Sequence, residues 1–331
     1  MKAAIFSFVR VSETSMVASV RIARYLEERL GAPLYYDEHI TDARWDLLVV
    51  VNGAYGFSKH LASLAEAVKS AKRVVWVQND YTIVPPKIES NGISPFRAAF
   101  RERHEAGEPH MDFWTTCEDW ARFTPASLYV NWNALTFDEA YDPRRIAVRR
   151  VNAKRHEDLL YYGSYRGGGG KSSRDAYFLR YFASPKVRTV ISSPARQFRE
   201  KFADPLIEHQ DPIRENFYDE IGSHGLGLYI EDRMSHEKFH SPANRFYEML
   251  SAGLPMVFQP ECESMMARAG YKLDQNWIAH GARSISALME NREEIGKQQR
   301  AEWVGNDSGK FRRVLNEQID SAIQSQMDAL A

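Results

Sequence analysis

A chain of 331 residues, 44% of them hydrophobic, can bury two cores of ordinary domain size, and no apolar run in it approaches a bilayer span. Acidic and basic side chains nearly cancel, 44 against 43, for a net charge of −1; this excludes a generally basic coat for nucleic acid and leaves only local basic stripes. Two cysteines, Cys117 and Cys262, are too few for a disulfide framework or a metal knuckle and point to a reducing cytoplasm.

Lys2–Phe8 reads as a first buried strand rather than a signal peptide, because polar residues follow at Arg10–Glu13. Ser12 can cap a long helix, with Glu13 in its first turn and apolar positions from Met16 to Leu30 mostly at helical spacing. Pro33–Tyr36 suggests a short strand. Asp46–Val51 carries a continuous apolar run of the parallel-sheet kind and ends at Asn52–Gly53. Ser58 can cap a helix to about Lys69, and Arg73–Gln78 is the next strand. Alternating strand and helix is the rhythm of a doubly wound sheet, whose ligands sit beyond the carboxyl ends of its strands. Glu13, Asn52–Gly53 and Asp80 all fall at such ends. A carboxylate there suits general-base work, and a turn or cap aspartate would occupy the same place.

Tyr81–Glu108 loses regularity, as a lid, an acceptor-binding insertion or a structural excursion would. Met111–Thr116 and Ser127–Val130 can complete the first sheet. Arg144–Arg155 then carries Arg144, Arg145, Arg149, Arg150, Lys154 and Arg155 with no acid, either a solvated linker or a stripe for a polyphosphate backbone. The expected division is an N-terminal domain over 1–150, a second over 151–305 and a terminal helix over 306–331 that packs back toward the first.

The second half restarts with a strand at Leu159–Tyr162, followed by Gly163–Ser164–Tyr165–Arg166, four glycines and Lys171–Ser172–Ser173–Arg174. A helix to about Ala183, a strand over Lys186–Ser192, a helix over Phe217–Ser223 and a strand over Gly227–Ile230 ending at Glu231–Asp232 come next. Ser241 or Asn244 can cap a further helix, with Gly253 as its left-handed stop and Leu254–Phe258 as a buried strand. Arg245 and Glu248 share one face of that helix. A guanidinium for phosphate oxygens and a carboxylate for paired ribose hydroxyls suit a nucleotide; a surface ion pair on an amphipathic helix is the plainer alternative.

Gly170–Lys171–Ser172 falls short of a P-loop, since Tyr165 stands where that loop needs glycine. The turn can still bind phosphate through backbone amides, with Arg166, Lys171 or Arg174 adding charge. His236–Glu237–Lys238–Phe239–His240 matches the H-E-x-x-H zinc pattern, but Pro242 follows almost at once and no apolar helical stripe surrounds it, so a polar loop is expected and no metal site.

With Ser12–Thr14, Asp80, Tyr162–Arg166, Ile230–Asp232 and Arg245–Glu248 in order along the chain, the sequence resembles the T-even-phage DNA β-glucosyltransferases. The resemblance implies an α/β, GT-B architecture of two facing Rossmann-like domains with a central cleft. It implies inverting transfer of glucose from UDP-glucose to a hydroxymethylated base, with Asp80 as the catalytic base and Glu13 on the sugar and acceptor side. It places Gly163, Ser164, Arg166 and Arg245 on the donor's phosphates and Glu248 on its ribose. Lys171 or Arg174 stands in for a family arginine replaced here by glycine, and Asp232 completes the donor set. The expected partners are a nucleotide-sugar and double-stranded DNA carrying hydroxymethylated bases, gripped by Arg144, Arg145, Arg149 and Arg150, with the target base flipped from the stack. A cytoplasmic monomer is expected, in the host cytoplasm if phage-encoded. It would need no membrane and no prosthetic group, with Mg2+ or Mn2+ left open as an aid to diphosphate release. Two alternatives stand beside this: a GT-B enzyme acting on a glycan, lipid or small molecule, and a non-catalytic nucleotide- or DNA-binding protein.

Overall fold

The computed structural model describes residues 1–7, 18–36, 40, 44–51, 61–78, 111–117, 121, 127–137, 156–165, 167, 173–213, 216–238, 241–305, 307 and 309–331. The chain forms two units, one of Met1–Leu135 with Arg312–Ala331, the other of Thr136–Phe311. Each has its own parallel sheet.

The first sheet contains β1 (Ala3–Ser7), β2 (Leu34–Tyr36), β3 (Leu47–Val51), β4 (Arg73–Gln78), β5 (Met111–Thr115) and β6 (Leu128–Tyr129), in the order β2-β1-β3-β4-β5-β6. All neighbours run parallel, with Ile5 opposite Val49 and Val49 opposite Val75. Every residue of β1 and β3 is buried, as continuous apolar runs demand when both faces of a sheet are covered. The period of two sorts them into two layers. Phe6, Leu48, Val50 and Trp76 pack with Leu64 and Val68 of helix α2 (Leu61–Ser70). Ile5, Val49 and Val77 pack with Ile22 and Leu26 of helix α1 (Ala18–Leu30) and with Leu315 and Ile319 near the chain's end.

The second sheet contains β7 (Asp158–Tyr162), β8 (Arg188–Ser192), β9 (Ile207–Gln210), β10 (Leu226–Tyr229) and β11 (Met256–Phe258), in the order β11-β10-β7-β8-β9. Its helices are α3 (Asp175–Phe182), α4 (Arg196–Lys201), α5 (Phe217–Ser223), α6 (Arg233–Lys238), α7 (Asn244–Ser251), α8 (Cys262–Arg268), α9 (Ala282–Glu290) and α10 (Arg292–Trp303), and α11 (Lys310–Asp328) follows. The chain runs from β7 outward through β8 and β9, then returns to lay β10 against the other side of β7. That reversal between β7 and β10 is the switch point where open parallel sheets leave a crevice at their carboxyl ends.

Three local expectations are corrected. The segment after Asp232 is helix α6 rather than a polar loop, because the Asp232 carboxylate accepts the Ser235 amide at 2.8 Å and starts a turn. Helix α7 is capped by neither Ser241 nor Asn244: its N-cap is Ala243, which makes no side-chain cap bond and donates its amide to the Tyr229 hydroxyl at 2.7 Å. The last strand begins at Met256 rather than Leu254, since Leu254 N–H still donates to Met249 O at 2.9 Å in closing the helix. Gly253, at φ +65°, provides the left-handed stop as expected. Edge strand β9 is half-buried and polar, Ile-Glu-His-Gln, and carries little periodic signal.

Candidate functional site

At the carboxyl ends of β7 and β10 the structure gathers Gly163, Arg174, Asp232, Arg245 and Glu248, with Ser164 exposed in the turn beside Gly163. Asp80, Glu13, Arg166, Lys171 and the stripe of Arg144, Arg145, Arg149 and Arg150 lie outside the described residues.

Helix α7 is the platform. All residues from Phe246 to Ser251 are buried, so it is not an amphipathic surface helix with an exposed ion pair. Phe246 meets Tyr247, Tyr271 and Trp303 with ring centroids 5.0, 4.8 and 5.1 Å away, which locks the helix in an aromatic core. The polar side chains projecting from it are held with little freedom.

The Arg245 guanidinium spans the two strand ends. Nη1 donates to the Tyr161 hydroxyl and to Tyr162 O, both at 3.2 Å. Nη2 donates to Ile230 O at 2.8 Å and to Glu231 Oε1 at 2.5 Å. The rings of Tyr161 and Tyr229 lie 5.6 and 5.8 Å from the guanidinium carbon, close enough for cation–π attraction. Burial is the largest single influence and works against the charge, but Glu231 together with the Tyr161 and Tyr229 hydroxyls holds the Arg245 pKa well above its ordinary value.

Gly163 makes this approach feasible. Its φ is +141°, and a Cβ there would lie 2.6 Å from Arg245 Nη1. The guanidinium could yield only by giving up its bonds to Tyr161 and Tyr162. Gly163→Ala is therefore expected to cost roughly 1–3 kcal/mol in stability, read from its melting curve. A variant as stable as the parent would mean that the guanidinium moves aside freely.

Glu248 is buried and accepts a hydrogen bond from the Tyr162 hydroxyl at 2.9 Å. Burial, and then the neighbouring carboxylate, push the Tyr162 pKa well above its usual value, so the phenol stays a donor that orients Glu248. Asp232 serves as the cap of α6 and has Oδ2 3.7 Å from Arg174.

The sequence reading missed Glu231. This carboxylate, 3% exposed, bridges the two arginines, with Oε2 2.5 Å from Arg174 Nη2. Its amide donates to Gln259 Oε1 at 3.1 Å, which fixes the backbone of the strand end. The signal was the doubled acid Glu231–Asp232, of which only Asp232 was singled out.

His236–Lys238 of the H-E-x-x-H segment lie on α6, and Phe239 and His240 lie outside the described residues. The buried His236 ring lies 3.2 Å from Gln259 Nε2 and 3.7 Å from Cys262 Sγ. Burial lowers the His236 pKa, and burial with Glu231 nearby raises that of Cys262, so a neutral imidazole faces a protonated thiol. Among the described residues no group of three or more His, Cys, Asp or Glu could hold a metal ion, and no helix is long and apolar enough to cross a membrane.

No protein-family model matches the chain, and no curated protein sequence does. Solved structures do. T4 phage β-glucosyltransferase, described for its substrate binding and proposed catalytic mechanism, is 12% identical with a TM-score of 0.60, covering 99% of this chain and 98% of its own. A DNA-modifying β-glucosyltransferase, solved with and without uridine diphosphoglucose, is 12% identical with a TM-score of 0.62, covering 99% and 100%. An α-glucosyltransferase bound to UDP and a 13-mer DNA with a central A:G mismatch is 12% identical with a TM-score of 0.54, covering 99% of each chain. At such low identity the likeness establishes the architecture: the chain is an α/β protein of the GT-B type, with two Rossmann-like domains.

Proposed function

We propose that the chain is a glycosyltransferase that moves a sugar, glucose in the first instance, from a UDP-sugar onto a 5-hydroxymethylpyrimidine in double-stranded DNA with inversion. The observation that carries this reading is the meeting of Gly163, Arg174, Arg245 and Glu248 at a switch point of the second sheet. It occurs in a fold shared with β-glucosyltransferases studied with UDP-glucose and an α-glucosyltransferase bound to DNA.

In this reading, Arg245 and Arg174, with Arg166 and Lys171, neutralise the diphosphate as it departs with the developing charge. Backbone and hydroxyl groups at Gly163 and Ser164 add donors to the phosphates. Glu248, held in place by Tyr162, accepts from the ribose hydroxyls. Asp80 removes the proton from the acceptor hydroxyl as that oxygen attacks the anomeric carbon from the side opposite the diphosphate, and Glu13 lies on the sugar and acceptor side. Arg144, Arg145, Arg149 and Arg150 contact the DNA backbone, and the target base leaves the stack to reach the sugar. Among the described residues, Glu231 and Asp232 are engaged by Arg174 and Glu248 by Tyr162, a donor set that does not suit Mg2+ or Mn2+. No step of this mechanism passes through a metal.

Mass spectrometry of nucleosides tests the proposal. Duplex DNA containing hydroxymethylcytosine or hydroxymethyluracil is treated with the protein and a panel of nucleotide-sugars. A hexosylated nucleoside is expected with UDP-glucose on hydroxymethylated DNA and not on plain DNA. Hexose transfer to a glycan or small alcohol in place of DNA would redirect the acceptor, and intact UDP-sugar with every acceptor would end the transferase reading.

A further inference from the structure

We propose that Glu231 is a built-in counter-anion of the donor site, holding Arg174 and Arg245 where a diphosphate would take them and so limiting how tightly donor and product are kept. The inference rests on reading those two arginines as diphosphate contacts.

The geometry is that of an anion bridge. One Glu231 oxygen lies 2.5 Å from Arg245 Nη2 and the other 2.5 Å from Arg174 Nη2, so a single carboxylate serves two guanidinium groups. A phosphate group accepts from paired arginines in the same way. All three side chains are nearly sealed from solvent, at 3% exposure for Glu231, 6% for Arg174 and 12% for Arg245. Water therefore screens their charges poorly. With Asp232 beside Arg174, two carboxylates balance two guanidinium groups before any ligand is present. The buried Nε of Arg174 has no acceptor among the described residues, which leaves a donor unused by the internal bridge.

A site whose arginines are already neutralised holds a diphosphate less tightly than its positive charge would allow. The incoming anion must share the guanidinium groups with Glu231 or displace it, and either course weakens binding. On departure of the nucleoside diphosphate, Glu231 re-pairs groups that would otherwise stay buried and uncompensated. The carboxylate thus trades affinity for release. It acts through the arginines, touches no reacting atom, and is a positioning residue.

A purely structural pin and a competing counter-anion predict opposite signs. Calorimetric binding of UDP and UDP-glucose is to be measured for the parent, Glu231→Gln and Glu231→Asp, with melting curves in the presence and absence of UDP. Glu231→Gln is expected to melt lower unliganded, to bind UDP about tenfold tighter, and to gain more in melting temperature from UDP than the parent does. In turnover, KM and kcat should fall together as product release slows. Glu231→Asp keeps the charge and the fold but is too short to bridge both arginines, and a smaller gain in affinity is expected. UDP binding unchanged or weakened in both folded variants overturns the inference and leaves the donor-site reading intact. A parent protein that binds no nucleoside diphosphate overturns the reading beneath it instead.

Discussion

Asp80→Asn is expected to lower turnover by about 10²–10⁴-fold while leaving the affinity for UDP-glucose unchanged. The substitution preserves the side chain's shape but replaces one carboxylate oxygen with an NH2 donor, so no basic carboxylate remains to take the acceptor's proton. Asp80 comes two residues after β4, at the carboxyl end of a strand. The residues proposed to grip the donor belong to other elements, at the ends of β7 and β10 and on α7. The two properties should therefore separate cleanly: calorimetry on the variant reports normal donor binding, and product analysis reports almost no transfer. Turnover close to that of the parent would remove Asp80 from the mechanism. Loss of donor binding together with turnover would instead make it a structural residue.

The second large effect belongs to the first unit. Arg73 opens β4 and donates from Nη2 to Asp112 Oδ2 at 2.7 Å, and Gln326 Nε2 donates to the same oxygen at 2.7 Å. The loop closes with a bond from Arg73 Nε to Gln326. Arg73 is 6% exposed, Asp112 1% and Gln326 not at all. Asp112→Ala leaves a guanidinium buried without its counter-charge, at an expected cost of about 3–5 kcal/mol. For a unit of this size that corresponds to a fall in melting temperature on the order of 10 °C. Because Gln326 lies on α11, the loss should also loosen the grip of that helix, whose Tyr25–Asn316 hydrogen bond and Arg29–Asp320 ion pair nearer its start remain. Denaturant unfolding gives the free energy directly. A loss below about 1 kcal/mol would place the network among ordinary surface ion pairs.

Both sheets were legible in the sequence because their central strands are apolar on both faces. Leu47–Val51 cannot sit at a surface in any conformation, and a strand buried on both sides implies a parallel sheet layered with helices. The stop at Gly253 was equally legible, being a local matter of one residue's backbone freedom. Helix α6 was missed because its start depends on a single capping carboxylate that also reads as a strand-end acid, and β9 because an edge strand needs no apolar face.

Alone, then, the sequence determined what covalent neighbours and periodicity can encode: two runs of alternating strand and helix, the turn after β7, and the spacing of Arg245 and Glu248 on one helix. Tertiary structure decided the partners. Arg245 meets Glu231, 14 residues away, and Glu248 meets Tyr162, 86 away, because β10 returns to lie against β7. Gln326 reaches Asp112 across 214 residues. Local patterns set which residues are buried, but strand order sets which buried charges face each other, and that order arises only when the whole sheet assembles.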